Sequence, residues 1–216
     1  MGRITIYGDI REFPIPTSNS EPHHVVLGPD GRIWFTECLA GQIGAFDPPT
    51  RAFTEYSLPM SWVCPNGITA GPDAALWFTE LTGQRIGRIT TTGTVSEFPI
   101  PARTGGPSHI TRGPDGNLWF TEFGGNRLGR ITPLGNITEF ALPTRDSVPS
   151  GIVAAGGWIW FTEYGSDRIG RASISGAISE IAVPTANSHP EGIAVGPDRA
   201  VWFVEHSGNN LARLQP

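Results

Sequence analysis

Hydrophobic residues fall along this chain in short clusters that recur at a nearly constant interval. The string Trp-Phe-Thr-Glu stands at Trp34–Glu37, Trp77–Glu80, Trp119–Glu122 and Trp160–Glu163, with Trp-Phe-Val-Glu at Trp202–Glu205. Successive tryptophans are 43, 42, 41 and 42 residues apart. A Pro-x-[Gly/His]-[Ile/Val] segment precedes each one, starting at Pro22, Pro65, Pro107, Pro149 and Pro190. Self-similarity at this period marks an array of one supersecondary unit. Within the unit at 107–143, Ile110–Arg112 reads as a short strand ended by the turn residues Gly113-Pro114-Asp115-Gly116. Asn117–Thr121, Arg127–Thr132 and Asn136–Leu142 read as three more strands. The second strand is apolar at adjacent positions, so both of its faces are buried, which suits a blade between two neighbours better than a sandwich.

Four short antiparallel strands per unit, with no helical periodicity, predict an all-β propeller. First- and second-strand motifs each occur five times. Fourth-strand motifs also number five, ending at Pro16, Pro59, Pro101, Pro143 and Pro184. The expected architecture is one five-bladed domain over 1–216, with blades at 17–59, 60–101, 102–143, 144–184 and 185–216 plus 1–16. In it Ile10–Ile15 joins the C-terminal blade as outer strand and closes the ring, because closure removes open sheet edges. Residues 1–5 duplicate the third-strand motif of Leu211–Leu214 and are expected outside the blade or at its edge.

Composition narrows the class. Seven Trp and eleven Phe in 216 residues can build a core, while 28 Gly and 20 Pro supply many turns. A net charge of −5 argues against a nucleic-acid groove. No apolar run is long enough for a membrane span, and MGRITIYGDI has no signal-peptide core, so a cytoplasmic protein is expected. The two cysteines, Cys38 and Cys64, fall at one rim on adjacent blades. A bridge between them is conceivable, but free thiols are the expectation in a reducing compartment.

The histidines sit at two repeat positions. His23, His24, His109 and His189 lie at the start of first strands, and His206 follows a second-strand glutamate. A hairpin centred near Asp30 sets residue 23 opposite residue 37, and Glu21 shares the face of His23. Glu21, His23 and Glu37 are therefore expected to converge at one end of the channel. A bulge in the Gly-Pro-Asp-Gly turn would shift the register by one and substitute His24. An imidazole between carboxylates is a candidate general base, and carboxylate oxygens suit a divalent cation. In the other blades the same glutamate (Glu80, Glu122, Glu163, Glu205) reads as a structural ring at strand ends. Only Glu37 faces a Glu-Pro-His segment. Cys38, Leu81, Phe123, Tyr164 and His206 occupy one rim position and offer a platform for a partly apolar ligand. His109, where three other blades have Gly, reads as incidental or channel-lining.

At Glu21-Pro22-His23 followed by Glu37-Cys38, within repeats such as GPDGNLWFTE and NRLGRITPLGNITEF, the chain resembles the virginiamycin B lyase (streptogramin B lyase) family. The resemblance covers nearly the whole chain. It implies linearisation of a cyclic depsipeptide antibiotic by β-elimination at the ester linkage, with magnesium. It further implies His23 as general base or acid, Glu21 as the carboxylate beside it and Glu37 as the metal-associated glutamate. The family's second histidine has no direct counterpart: Glu191 stands there, with His189 two residues earlier. The family's propellers have seven blades against the five expected here.

The leading expectation is thus a monomeric Mg²⁺-dependent lyase acting on a small cyclic depsipeptide or related ester. A non-catalytic propeller binding a peptide, glycan or protein at its rim is the alternative. Metal-assisted lactone hydrolysis is a third reading.

Overall fold

The computed structural model describes residues 1–102 and 104–215. Its described elements are all strands. A two-stranded hairpin, β1 (Gly2–Ile4) and β2 (Ile10–Glu12), precedes five successive sheets. The first contains β3 (Pro22–Leu27), β4 (Ile33–Glu37), β5 (Gln42–Asp47) and β6 (Ala52–Ser57). The second contains β7 (Pro65–Ala70), β8 (Ala75–Glu80), β9 (Arg85–Thr90) and β10 (Val95–Pro99). The third contains β11 (Pro107–Arg112), β12 (Leu118–Glu122), β13 (Arg127–Ile131) and β14 (Ile137–Ala141). The fourth contains β15 (Pro149–Ala155), β16 (Trp158–Glu163), β17 (Arg168–Ala172) and β18 (Ile178–Ala182). The fifth has three strands, β19 (Pro190–Val195), β20 (Val201–Glu205) and β21 (Asn210–Leu214). Every pairing is antiparallel between consecutive strands, so the meandering blade predicted from the repeat is the observed unit.

The repeat motif is legible as packing. Trp34, Trp77, Trp119 and Trp160 are fully or almost fully buried, each against the sheet that follows its own. Trp119, for example, packs on Ile152, Ile159 and Phe161. Truncating such a side chain to Ala costs about 3–5 kcal/mol. The turn aspartate accepts the indole N–H: Asp30 from Trp34 at 3.0 Å, Asp73 from Trp77 at 2.9 Å, and Asp198 from Trp202 at 3.2 Å. That bond explains why Gly-Pro-Asp and Trp recur four residues apart. The following Phe lies over a third-strand glycine, and a Cβ on Gly129 would meet Phe120 Cζ at 2.0 Å.

The closed five-bladed ring is not what these strands form. β2 pairs with β1 rather than β21, with Ile4 opposite Ile10, so the C-terminal sheet keeps three strands. Inner strands β3, β7, β11, β15 and β19 each pack on the next, but among the described residues β19 makes no comparable packing on β3. The sheets therefore make an open arc. The hairpin folds instead against the first sheet, where Phe13 meets Phe46 at 4.9 Å and the Met1 amino group donates to the Phe13 carbonyl at 2.7 Å. The expectation for the third-strand copies holds: the C-terminal one pairs with β20, and residues 2–4 lie outside the blade. No helix among the described residues is long and apolar enough to cross a membrane.

Candidate functional site

The first strand of every sheet carries a β-bulge just after its proline. In the first sheet Val25 opposes Phe35, as a turn centred on Asp30 requires, but Pro22 rather than His23 opposes Glu37. His23 and His24 occupy the bulge. The threonine of Trp-Phe-Thr-Glu holds it in place: Thr36 Oγ1 accepts the His24 N–H at 3.1 Å and donates to the Asn66 carbonyl of the next sheet at 2.8 Å. Thr79, Thr121 and Thr162 repeat both bonds. The bulge splits the residues after each proline into two classes. One class (His23, Asn66, Ser108) links sheet to sheet; the other (His24, Gly67, His109, Gly151, Gly192) lines the channel.

Glu21 and His23 do come together, and Cys38 joins them: one donor atom from each lies within 4.8 Å of the other two. Glu21 reaches the rim from a left-handed backbone conformation (φ 52°), and its carbonyl accepts the Cys38 N–H at 3.0 Å. Glu37 is displaced from this group. It is 0% exposed, both of its carboxylate oxygens lack a hydrogen-bond partner, and burial raises its carboxyl above the usual range. Burial likewise pushes Glu80 and Glu122 up to about 8 and Glu163 to about 7. The ring of strand-end glutamates read from the sequence therefore includes Glu37.

His23 owes its orientation to a residue the sequence reading passed over. Asn66 Nδ2 donates to the Ser108 carbonyl and Oγ, each at 3.3 Å. A carbonyl only accepts, so the amide is turned with Oδ1 toward His23 Nδ1, 2.8 Å away. Nδ1 therefore carries the proton, and Nε2 keeps its lone pair. His24 Nδ1 lies 3.1 Å from the Asn66 carbonyl. Its ring meets His109 edge to face at 4.6 Å in a channel cavity of about 280 Å³. Burial lowers both pKa values, that of His109 to about 4, so both rings are neutral near pH 7. His109 lines this cavity with His24.

The rim series is real as backbone geometry. Leu81, Phe123, Tyr164 and His206 each donate an N–H to the carbonyl of the residue just before the proline that opens the first strand of their own sheet, as Cys38 does. Tyr164, His189, His206 and Glu191 gather into a second group at the other end of the arc. There the Tyr164 ring lies tilted by 41° against His189 at 4.8 Å, and His206 Nδ1 lies 3.1 Å from Glu191 Oε2. The expected free thiols are not present: Cys38 and Cys64 form a disulfide joining the first two sheets. Asn66 carried one usable signal, since it follows Pro65 as His23 follows Pro22.

The profile of the virginiamycin B lyase family matches residues 1–214. Among solved structures, a catalytically inactive virginiamycin B lyase from Staphylococcus aureus, crystallised with quinupristin, is 41% identical with a TM-score of 0.95, covering 99% of this chain and 73% of that one. A selenomethionine form of virginiamycin B lyase from the same organism is 39% identical (TM-score 0.91; 100% of this chain, 76% of that). A streptogramin B lyase is 37% identical (TM-score 0.92; 100% and 75%). No curated protein matches.

Proposed function

This chain belongs to the virginiamycin B lyase family, and on that premise we propose that it linearises a cyclic depsipeptide of the streptogramin B type by β-elimination. The observation that carries the reading is the family match across residues 1–214, supported by the likeness to a lyase solved with quinupristin. His23 acts as the general base, since its Nε2 lone pair is free while Nδ1–H is held by Asn66. It removes the proton on the carbon between the carbonyl and the ester-bearing carbon. The electron pair forms the new C=C bond, the C–O bond breaks, and the ester leaves as a carboxylate. Glu21, beside the ring, stabilises the imidazolium that forms. The partly exposed Phe123 and its rim neighbours supply an apolar platform for the ring of the substrate.

Magnesium fits the oxygen donors at this end of the arc. Mg²⁺ takes one or two carboxylates and keeps several waters. Glu21 is open to solvent beside His23, whereas Glu37 is 0% exposed and lies outside that group. Glu21 would hold the ion together with waters, and the ion when bound would polarise a substrate carbonyl and acidify the adjacent proton. The expected product is a linear peptide of unchanged mass. Incubation with a streptogramin B antibiotic and mass spectrometry provides the test; a product heavier by one water overturns the elimination.

A further inference from the structure

The disulfide lies against the candidate base. The Cys38 sulfur is within 4.8 Å of a ring nitrogen of His23 and a carboxylate oxygen of Glu21, and Cys64 is bonded to it. We propose that reduction of Cys38–Cys64 opens a site for a thiophilic divalent cation such as Zn²⁺, with Cys38, Cys64, His23 and Glu21 as its four ligands. Two thiolates, an imidazole and a carboxylate form a tetrahedral donor set of the kind zinc takes, at about 2.0–2.3 Å from each donor. The site is already preorganised on one side. Zinc-bound histidines usually donate their second ring N–H to an oxygen, which fixes the tautomer. His23 does this with Asn66 Oδ1 at 2.8 Å, and Asn66 is itself held by Ser108. Glu21 and His23 are exposed, so their side chains have room to close on an ion. In the oxidised protein the sulfurs are bonded to each other and offer no thiolate.

The chemistry balances with a dithiol reductant. Two electrons cleave the S–S bond, the reductant becomes a disulfide, and the two new thiols release two protons as the cation binds. A soft cation therefore occupies the reduced site, whereas a hard Mg²⁺ needs only the oxygens. The site stands on its donors and not on the elimination reading, although it shares His23 and Glu21 with it.

Cobalt provides the readout. The full chain, reduced with a trialkylphosphine, is titrated anaerobically with Co²⁺. The expected result is one ion per chain, with tetrahedral visible bands and a thiolate-to-cobalt charge-transfer band that Zn²⁺ abolishes. The oxidised chain shows neither. Asn66→Ala weakens binding by about 10–100-fold. Cys64→Ser leaves Cys38 free without reductant and is expected to keep a weaker charge-transfer band. The proposal is overturned if the reduced chain shows no thiolate–cobalt band, if the band persists unchanged in both His23→Ala and Glu21→Gln, or if reduction erases the sheet circular dichroism. Loss of depsipeptide cleavage alone leaves these spectra unaffected, so the two readings fail separately.

Discussion

The two ends of the arc carry histidines at the same rim, but only one end has a following sheet to brace them. In the first sheet His23 is pinned by Asn66, and the strand behind it is anchored through Thr36 and Cys38 to the second sheet. In the fifth, Val204 replaces the threonine and is 43% exposed. There His206 pairs with Glu191 in the open, their side chains 59% and 52% exposed. Exposed pairs of this kind contribute little, because water screens them and ordering two side chains costs entropy. The lesson is that a rim histidine takes its chemistry from the next sheet rather than from its own motif.

The largest expected contrast is in catalysis. His23→Ala should lower depsipeptide opening by about 10²–10⁴-fold, the contribution usual for a general base. His206→Ala should change it only a few-fold. Equal losses in the two variants, measured by initial rates alongside unchanged circular dichroism, would erase the distinction between the ends. Next is Asn66→Ala, which frees the His23 tautomer without touching substrate. Its expected loss is about 10-fold in kcat with little change in KM, and ¹⁵N imidazole shifts of His23 should move toward a tautomer mixture. A shift in KM alone would point to a merely structural effect.

The smallest effect is on stability. Glu80 and Glu122 have carboxyls pushed from 4.5 up to about 8, chiefly by burial, with Glu97 and Glu139 adding repulsion. Each binds a proton in the folded state that the unfolded chain has already released. Stability should therefore be greatest below pH 4.5, fall as pH rises toward 8, and level off above it. Glu122→Gln should flatten that decline, raising the melting temperature by roughly 3 °C at pH 8.5 and leaving it unaltered near pH 4. A parallel shift at both pH values would show that packing, not charge, is responsible.

Much of this architecture could be read from local patterns. The strand expected at Asn117–Thr121 is observed at Leu118–Glu122, and the third and fourth strands of that unit differ from expectation by a residue or so at their ends. The expected first strand, Ile110–Arg112, extends back to Pro107 because the bulge keeps the backbone paired beyond the regular register. The site was only half legible. Glu21 and His23 are two positions apart and their proximity is local, whereas Glu37 depended on a register that the bulge alters by one residue. The residue types do not announce that bulge: a threonine braces it against the next sheet in four cases, but the fifth sheet carries it with Val204 in that place.

Period, strand order, turn positions and the burial of the tryptophans are consequences of short-range chemistry: a turn aspartate four residues from its indole, and apolar pairs in a five-residue strand. Those could be worked out from the residues in order. Which side chain meets His23, whether Cys38 is thiol or disulfide, and whether β2 would find β21 depended on sheets assembling in space. Such contacts join residues tens of positions apart, as with His23 and Asn66 or Cys38 and Cys64. Their geometry follows from how far each blade is rotated against the next, a quantity that no local alternation of polar and apolar residues encodes.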